Sequence, residues 1–187
     1  MHEGQHGEEV VLLLSGRVKA YCTTEDGRDV ILCFRGPGDL VGELSVLDQQ
    51  PRSSTVEALE PVEALAISGP DFREFVESRP RVATQLLRLL SRRFRDADRK
   101  RIEFAASQTL GRVAARLIEL AERYGREEDG LLVIDLRISQ EELAGWTGSS
   151  REAVAKALHS LRELGLVVTE RRRIAVLDFD GLRRQAA

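Results

Sequence analysis

The chain has 187 residues, of which 42% are apolar and 32% charged, with a formal net charge of −3. This composition is that of a globular protein and excludes an intrinsically disordered one, and the length allows one large domain or two small ones. No apolar run reaches the roughly 18 residues of a membrane span, and the acidic start MHEGQHGEEV lacks the form of a signal peptide.

The two cysteines, Cys22 and Cys33, are too few for a disulfide scaffold or a cysteine-ligated cluster. We therefore expect no iron–sulfur cluster and no metal site, and the cysteine usage favours a reducing cytoplasm. The net charge does not indicate a nucleic-acid partner, because the segment from Ser107 onward carries as many basic as acidic residues. Evidence for such a partner must come from where the basic residues lie.

Up to about Gly69 the sequence pattern predicts short β-strands. Apolar or alternating stretches at 10–14, 18–22, 30–34, 55–59 and 62–67 are separated by turn sequences such as Glu25-Asp26-Gly27-Arg28 and Gly36-Pro37-Gly38-Asp39. Several strands at this spacing are typical of a β-barrel or jelly roll.

Beyond Gly69 the apolar period becomes helical. Pro70-Asp71 can open a short helix through Val76, and Pro80 suits the first turn of a long helix. Along the long helix the apolar residues recur at steps of three and four: Val82, Leu86, Leu89, Leu90, Phe94 and Ala97. A helix that runs to Ala106 is roughly 40 Å long and has more apolar face than a small barrel can cover. We interpret it as a dimerisation helix, with packing against its own domain as the alternative.

From Ser107 the pattern predicts a helix, a strand, two helices and two strands. Ser107 can cap a helix through Tyr124 that ends at Gly125, and residues 131–138 are predicted as a strand.

Two sequences of the form S-x-x-E predict that helices begin nearby. They are Ser139-Gln140-Glu141-Glu142 and Ser149-Ser150-Arg151-Glu152, and Thr147-Gly148 lies between them. Two short helices joined by a tight glycine-containing turn are the signature of a helix-turn-helix. The predicted buried face of the second helix, which ends at Gly165, consists of Val154, Ala157, Leu158, Leu161 and Leu164.

The exposed positions at the start of the second helix have the chemistry that reads DNA bases. Arg151 has a planar fork that matches the guanine O6 and N7 acceptors, Glu152 can accept from cytosine N4, and Lys156 can reach a guanine or a phosphate. Ser139 and Ser150 stand at the two predicted helix N-termini, where hydroxyl and backbone N–H groups suit phosphates. Gln140 and Ser149, which lie beside them, are also expected to bind DNA. Three arginines are expected at the tip of a hairpin wing, where phosphate contacts are favoured over a solvated turn: Arg171, Arg172 and Arg173.

The stretch from Glu141 to Val167, EELAGWTGSSREAVAKALHSLRELGLV, resembles the cyclic-AMP receptor protein/FNR (Crp/Fnr) family of bacterial transcription regulators. Their helix-turn-helix has the form E-[IL]-[AG]-x-x-[TV]-G-x-[ST]-R-E-x-[VT]-x-[RK]-x-L. The resemblance implies an α+β fold with a cyclic-nucleotide-binding β jelly roll (1–79), a long dimerisation helix (80–106) and a winged helix-turn-helix (107–187). It also implies a homodimer that reads a two-fold symmetric duplex and works with RNA polymerase. The lysine at position 156, where the best-known member has arginine, resembles actinobacterial members.

The front half contains a second stretch similar to this family. Gly42-Glu43-Leu44-Ser45, followed by Pro51-Arg52-Ser53-Ser54, resembles the phosphate-binding cassette of cyclic-nucleotide domains, G-E-[LI]-[SAG] and then R-[ST]. Arg52 can pair with a cyclic phosphate, Ser53 can donate to it, and Glu43 can accept from a ribose hydroxyl. The resemblance implies cyclic AMP or another cyclic nucleotide as effector.

Two features depart from the family pattern. In cyclic-AMP-responsive members a Thr–Ser or Thr–Asn pair on the long helix contacts adenine, and Ala97-Asp98 stand at that place here. Because Ala97 has no hydroxyl, the identity of the effector stays open. The family normally has a short helix and a strand before the segment that matches His2 to Val10. The barrel is therefore expected to lack a strand or to be completed by residues upstream of Met1.

Other functions are less well supported. The cysteine cluster of oxygen-sensing members is missing, and the three histidines, His2, His6 and His159, are poorly placed to bind haem. No nucleophile–base pair indicates an enzyme. Two alternatives remain: a regulator whose β-domain is a ligand-independent dimer scaffold, and a cyclic-nucleotide module that controls an enzyme or channel.

Overall fold

The structure, a computed structural model, describes residues 1–128, 130–134, 136, 138–170 and 173–186. These residues form two compact units, Met1–Ala97 and Asp98–Ala187, and one long helix contributes to both.

The first unit contains two three-stranded antiparallel sheets. Its elements are β1 (Glu9–Ser15), β2 (Val18–Thr23), β3 (Asp29–Arg35), β4 (Leu40–Val41), α1 (Glu43–Leu47), β5 (Thr55–Ala58), β6 (Glu63–Ser68), α2 (Gly69–Glu77) and the start of α3 (Pro80–Ala106). One sheet has the strand order β4-β1-β6 and the other β3-β2-β5. This arrangement confirms the predicted β-rich front half and its turns.

The core of the first unit forms where the apolar faces of β1, α1, α2 and α3 meet. Val10, Val46, Phe72 and Leu86 are buried together, and Leu89 and Leu90 of α3 pack against them. Each such side chain stabilises the fold by about 1.5–3 kcal/mol when it leaves water. The long helix is therefore anchored by its own domain in its first three turns.

The predicted apolar stripe of α3 divides into two parts. Leu86, Leu89 and Leu90 pack in the core of the first unit, whereas Phe94 is 68% exposed and Ala97 is also exposed. Leu87, which lies outside the predicted stripe, is 65% exposed. Within one protomer, α3 thus has an apolar face that its own domain does not cover.

The second unit is a helix-turn-helix with a four-stranded sheet. Its elements are the end of α3, α4 (Thr109–Tyr124), β7 (Gly125–Glu128), β8 (Leu131–Ile134), α5 (Gln140–Thr147), α6 (Arg151–Glu163), β9 (Val167–Glu170), β10 (Arg173–Val176) and α7 (Phe179–Ala186). The sheet has the order β7-β8-β10-β9. Fully buried leucines and valines of α4, α6 and α7 form the core, among them Val113, Leu117, Leu120, Val154, Leu161 and Leu182.

The predicted bounds of α4 were right at its end and wrong at its start. The N-cap is Gln108 rather than Ser107, whereas the helix ends at Tyr124 with Gly125 as its C-cap, as predicted. Gly125 has φ −72° and ψ 137°, an extended rather than a left-handed conformation, and it begins β7. Of the predicted strand 131–138, residues 131–134 form β8 and residues 136 and 138 are not in a strand, while 135 and 137 lie outside the described residues. Strand β7 and helix α7 were not predicted. The charged sequence of β7 has no strand-like alternation, and α7 has few apolar residues.

The predicted buried face of α6 was wrong at one position. Val154, Ala157, Leu158 and Leu161 are buried, but Leu164 is 55% exposed at the C-cap. The chain turns away there because Gly165 takes a left-handed φ of 68°, and Leu166 N then donates to Leu161 O.

No helix in the described part of the chain is both long and apolar enough to cross a membrane.

Candidate DNA-binding surface and ligand cassette

Gly42 brings the backbone of the cassette close to Arg52. It is the N-cap of α1 and has φ 82°, a left-handed conformation that L side chains adopt at a cost. A Cβ at this position would lie 2.5 Å from Arg52 Nη1 and 3.0 Å from Glu9 O. Only glycine therefore allows the arginine to pack against this turn.

Arg52 is the central cation of the cassette. The residue is only 9% exposed, and its Nη2 donates to Glu9 O at 3.3 Å. Its backbone is held by the N-terminal segment, since Arg52 N donates to Gln5 O at 2.8 Å and Gly4 N donates to Arg52 O at 2.9 Å. These bonds fix where the guanidinium lies.

Among the described residues, the buried Nη1 of Arg52 has no hydrogen-bond partner. A buried N–H without an acceptor is costly, so an acceptor supplied by a ligand fits here. Arg52 lines a cleft together with Met1, His2, Gln5, His6, Glu8, Glu9, Ala66, Ile67 and Ser68. The arrangement suits an anionic group, and a cyclic phosphate is such a group.

Glu43 is held by an arginine that the sequence analysis did not identify as a site residue. Glu43 is 3% exposed, and Arg93 Nη1 of α3 lies 2.5 Å from its Oε1. Arg93 Nη2 also donates to Leu40 O at 2.7 Å. An arginine in a charged stretch of helix gives no signal of a partner 50 residues away, so only the tertiary structure could reveal this pair.

The other predicted cassette residues differ in exposure. Ser45 is buried and donates to Gly42 O at 3.2 Å, whereas Leu44 is 46% exposed. Ser53 is exposed, and its carbonyl accepts from the thiol of Cys22 at 3.2 Å. Burial, assisted by nearby Glu3, raises the pKa of that thiol, so it stays protonated and donates.

Ala97 and Asp98 lie on α3, the first exposed and the second half-buried. Their role in ligand binding stays a prediction.

The first helix of the helix-turn-helix begins with the predicted capping box. Glu142 N donates to Ser139 Oγ at 3.1 Å, and Ser139 N donates to Glu142 Oε2 at 2.8 Å. The hydroxyl of Ser139 is therefore engaged within the helix start, while Gln140 is exposed. Helix α5 ends at Thr147, and Gly148 makes the turn with φ 56° and ψ 41°.

The second capping box was placed one residue too early. The N-cap of α6 is Ser150, whose hydroxyl accepts from Ala153 N at 3.2 Å. Ser149 instead lies within the turn, where its half-buried hydroxyl bonds to Thr147 O and contacts Arg112 Nη2, both at 3.2 Å. Ser149 therefore stabilises the turn, and Ser150 is the exposed serine at the helix start.

The predicted base-reading side chains share the exposed surface of α6. Arg151, Glu152 and Lys156 are exposed, as is His159. The backbone N–H of Glu152 and the Ser150 hydroxyl, with a smaller contribution from Arg151, hold the pKa of the Glu152 carboxyl below its usual range. The start of α6 therefore presents an ionised acceptor next to a cation, while the opposite face of the helix is buried.

The wing is the hairpin of β9 and β10. Arg173 lies in the first ladder pair of β10, opposite Glu170, rather than at the tip as predicted. Its guanidinium is 3.0 Å from Glu128 and 3.7 Å from Glu170. A phosphate contact by Arg173 would have to replace these two ion pairs. The other two predicted wing residues, Arg171 and Arg172, lie outside the described residues.

Two family models together match most of the chain. The model of the cyclic nucleotide-binding domain matches residues 1–79, and that of the Crp-like helix-turn-helix domain matches residues 111–185. The CRP-like cAMP-activated global transcriptional regulator of Mycobacterium tuberculosis is 35% identical over 184 residues, which are 98% of this chain and 82% of the relative.

The chain belongs to the Crp/Fnr family of transcription regulators.

Further relatives agree with this assignment. The cyclic AMP receptor protein of Thermus thermophilus is 36% identical over 166 residues, 89% of this chain and 74% of the relative. A CRP-family transcriptional regulator, also from Thermus thermophilus, has a structure with a TM-score of 0.83 and 26% identity, covering 99% of this chain and 91% of the other. FixK2 from Bradyrhizobium japonicum has the same fold, with a TM-score of 0.87 and 23% identity. The match covers 100% of this chain and 91% of the FixK2 chain.

Membership of the Crp/Fnr family decides between the functional classes left open above. The chain is a DNA-binding transcriptional regulator with a cyclic nucleotide-binding domain, as predicted. The interpretation as a module that controls an enzyme or channel is wrong, because the matched C-terminal domain is a Crp-like helix-turn-helix. The relatives are transcriptional regulators, which confirms that the chain is not an enzyme.

Proposed function

We propose that this chain is a cytoplasmic, homodimeric regulator that binds two-fold symmetric duplex DNA, and that cyclic AMP or another cyclic nucleotide bound at Glu43, Arg52 and Ser53 sets its DNA affinity. The observation that carries the ligand assignment is the buried Arg52, whose Nη1 lacks an acceptor among the described residues. The relatives named above as cAMP-activated or as a cyclic AMP receptor support the same class of effector.

Three side chains of the cassette would contribute to nucleotide binding. Arg52 supplies a charge-assisted donor pair for the phosphate, and the exposed Ser53 hydroxyl supplies a further donor. Glu43 supplies a carboxylate for a ribose hydroxyl, and Arg93 holds that carboxylate in place. The phosphate of the bound nucleotide would supply the acceptor that Arg52 Nη1 lacks among the described residues.

The homodimer is supported by the uncovered face of α3. Leu87 and Phe94 are seven residues apart, so they lie on the same side of the helix two turns from each other, and they are 65% and 68% exposed. Apolar side chains at this spacing are typical of a coiled-coil-like seam. A dimer would bury them and would present two recognition helices to two half-sites of a symmetric duplex.

DNA binding would divide between base contacts and phosphate contacts. Arg151, Glu152 and Lys156 lie on the exposed part of α6 and would read base edges. Ser150 at the helix N-terminus and the wing arginines would hold the duplex backbone. RNA polymerase is the expected protein partner, following the family resemblance.

A second candidate function retains DNA binding without an effector. It is favoured by Ala97, which is exposed and lacks the hydroxyl expected at the adenine-contacting position. In this version the β-domain serves only as a dimer scaffold.

Two measurements on the full-length protein separate the candidates. Titration calorimetry with cyclic AMP, cyclic GMP and 5′-AMP should give saturable heat with a cyclic nucleotide. Fluorescence anisotropy should then show tighter binding of a two-fold symmetric duplex, selected from a random library, when that nucleotide is present.

The control is Arg28→Lys, because Arg28 is exposed and lies in a surface ion pair with Asp26. This variant should behave as wild type, whereas Arg52→Lys should lose the nucleotide response. Absence of heat with every nucleotide, together with unchanged DNA binding, contradicts the effector proposal and supports the scaffold. A monomer by light scattering contradicts the dimer.

A further inference from the structure

The end of α3, residues 98–106, has contacts unlike those of residues 86–93 of the same helix. Leu86 belongs to the core of the first unit, and Arg93 bonds to Glu43 and Leu40 of that unit. From Asp98 onward the helix belongs to the second unit, although its backbone is continuous from Pro80 to Ala106. The end of the long helix is thus part of the DNA-binding unit and not only a connection to it.

The first set of contacts surrounds Arg116 of α4. Arg116 is 5% exposed and is ion-paired with Glu103 of α3 and with Glu119, the latter at 2.7 Å. Lys100 of α3 lies 3.5 Å from Glu119. Arg116 and Lys100 both lie over the indole ring of Trp146, at 5.3 and 5.2 Å from its centre.

We call this group of residues the helix clamp: Lys100, Glu103, Arg116, Glu119 and Trp146. A guanidinium buried this deeply is tolerated only when carboxylates neutralise it, and Glu103 is the carboxylate that comes from α3. Trp146 is 3% exposed and lies on α5, the first helix of the helix-turn-helix. The clamp therefore joins α3 and α4 to the helix-turn-helix through one charged, largely buried cluster.

A second set of contacts starts from Arg112, one turn earlier on α4. Its Nε donates to Thr147 O at 2.8 Å, its Nη1 to Ser107 O at 2.5 Å and its Nη2 to Ser149 Oγ at 3.2 Å. One side chain thus links the residue after α3 to the turn that sets where α6 begins.

Phe104 completes this second set. The Arg112 guanidinium lies over its ring, with Cζ 5.5 Å from the ring centre. The same ring also packs against Gly148. A Cβ on Gly148 would be 2.4 Å from Phe104 Cε1. The aromatic ring at the end of α3 is therefore in direct contact with the turn of the helix-turn-helix.

We propose that residues 98–106 move as one body with the helix-turn-helix, and that Arg112 and Arg116 are positioning residues that transmit the orientation of the end of α3 to the recognition helix α6. Any reorientation of α6 that accompanies regulation would then accompany a reorientation of residues 98–106. The link to regulation by a ligand rests on the function proposed above. The rigid connection to the DNA-reading helix rests only on the contacts just described.

Hydrogen exchange on the full-length protein, without ligand or DNA, tests the rigid connection. In the wild type, the amides of 98–106 should have protection factors within about threefold of those in α4, because one cooperative unit opens as a whole. Glu103→Gln removes the carboxylate from α3 with little change of shape. It should lower the protection of 98–106 by about tenfold and leave 83–93 unchanged.

The matched control is Glu122→Gln, on the same helix as Arg116. Glu122 forms an exposed ion pair with Arg183 at 3.4 Å, and this pair should contribute little. Wild-type protection of 98–106 at the level of a frayed helix end overturns the proposal. Equal exchange rates of residues 98–106 in Glu103→Gln and in Glu122→Gln also overturn it.

DNA binding tests the positioning role separately. Glu103→Gln should weaken binding to the selected two-fold duplex by about tenfold while binding to a random duplex changes by less than about twofold, because phosphate contacts need less exact placement.

Equal losses on both duplexes would indicate a merely structural role and overturn the positioning assignment. If cyclic AMP does not change the DNA affinity of the wild type, only the proposed control by the ligand is contradicted. The exchange data and the comparison of the two duplexes still decide whether the clamp positions α6.

Discussion

Glu43 and Arg93 lie 50 residues apart in sequence and form a largely buried ion pair, with Arg93 Nη1 2.5 Å from Glu43 Oε1. The pair joins the cassette helix α1 to the long helix α3 within the first unit. Its side chains are 4% and 18% exposed, so water screens it little.

Arg93→Ala should destabilise the first unit by about 2–4 kcal/mol, because it leaves the Glu43 carboxylate buried without its cation. Urea unfolding followed by circular dichroism measures the change. The control is Arg28→Ala, whose exposed ion pair with Asp26 should contribute at most about 0.5 kcal/mol. Similar unfolding midpoints for the two variants would show that the Glu43–Arg93 pair does not stabilise the unit.

Arg52→Lys should weaken cyclic-nucleotide binding by about 100-fold, because an ammonium cannot place two donors on a phosphate as the guanidinium fork does. The buried position would also be filled less well, so a modest loss of stability should accompany it. Calorimetric titration gives the dissociation constant, and thermal unfolding gives the stability. A lysine variant that binds the nucleotide as tightly as wild type would refute the phosphate-binding role of Arg52.

Gly148→Ala should destabilise the second unit by about 2–4 kcal/mol, because the left-handed φ and the Phe104 ring both oppose a Cβ. Gly165→Ala is the matched control. Gly165 also has a positive φ, of 68°, but no atom lies within 4 Å of the added Cβ, so only backbone strain of about 1–2 kcal/mol is expected. Chemical denaturation followed by Trp146 fluorescence compares the two. The difference between them measures the contact with Phe104, and equal losses would mean that the ring moves aside freely.

Arg151→Ala should weaken cognate DNA binding by about 1–3 kcal/mol per half-site and relax specificity at one base pair. Binding to duplexes that vary one position at a time measures this. Arg172→Ala is the contrast, chosen from the sequence alone. It should weaken binding to all sequences alike and reduce the salt slope by about one unit. Equal losses on cognate and random DNA for Arg151→Ala would contradict base reading.

The Glu152 carboxyl should stay ionised at lower pH than an ordinary glutamate. Hydrogen bonds from its own backbone N–H and from Ser150 depress its pKa, so the charged form is favoured and is lost only when the pH falls through this lowered pKa. The cost of Glu152→Gln in cognate DNA binding should therefore be the same at about pH 7.5 and about pH 5.5, both above the ordinary glutamate value of about 4.3. NMR titration of the carboxyl should show the depressed pKa, and Ser150→Ala should move it back towards the ordinary value. A cost that disappears by about pH 5.5 would contradict the prediction.

Local sequence signals were sufficient for the secondary structure that carries function. The capping sequence at Ser139, the glycine turn at Gly148 and the apolar spacing of α6 act over a few residues, so they predicted the helix-turn-helix without knowledge of its surroundings. The same signals misplaced the starts of α4 and α6 by one residue each. At α6 the adjacent Ser149 and Ser150 offer competing caps, and at α4 the N-cap Gln108 makes no side-chain capping bond that a sequence pattern could predict. Strand β7 was missed for a related reason, since its charged residues form a strand only when β8 lies beside them.

The sequence by itself therefore determined the class of the protein, the order of its parts and the exposed Arg151, Glu152 and Lys156 that are proposed to read DNA. Only the tertiary structure decided which arginines hold other parts of the protein in place. Arg93 meets Glu43, Arg116 meets Glu103 and Trp146, and Arg112 meets the turn at Thr147. An arginine on a helix has the same sequence appearance whether it is solvated or buried. Its function depends on long-range packing that brings a carboxylate or carbonyl to it, because a charge leaves water only where such a partner compensates it.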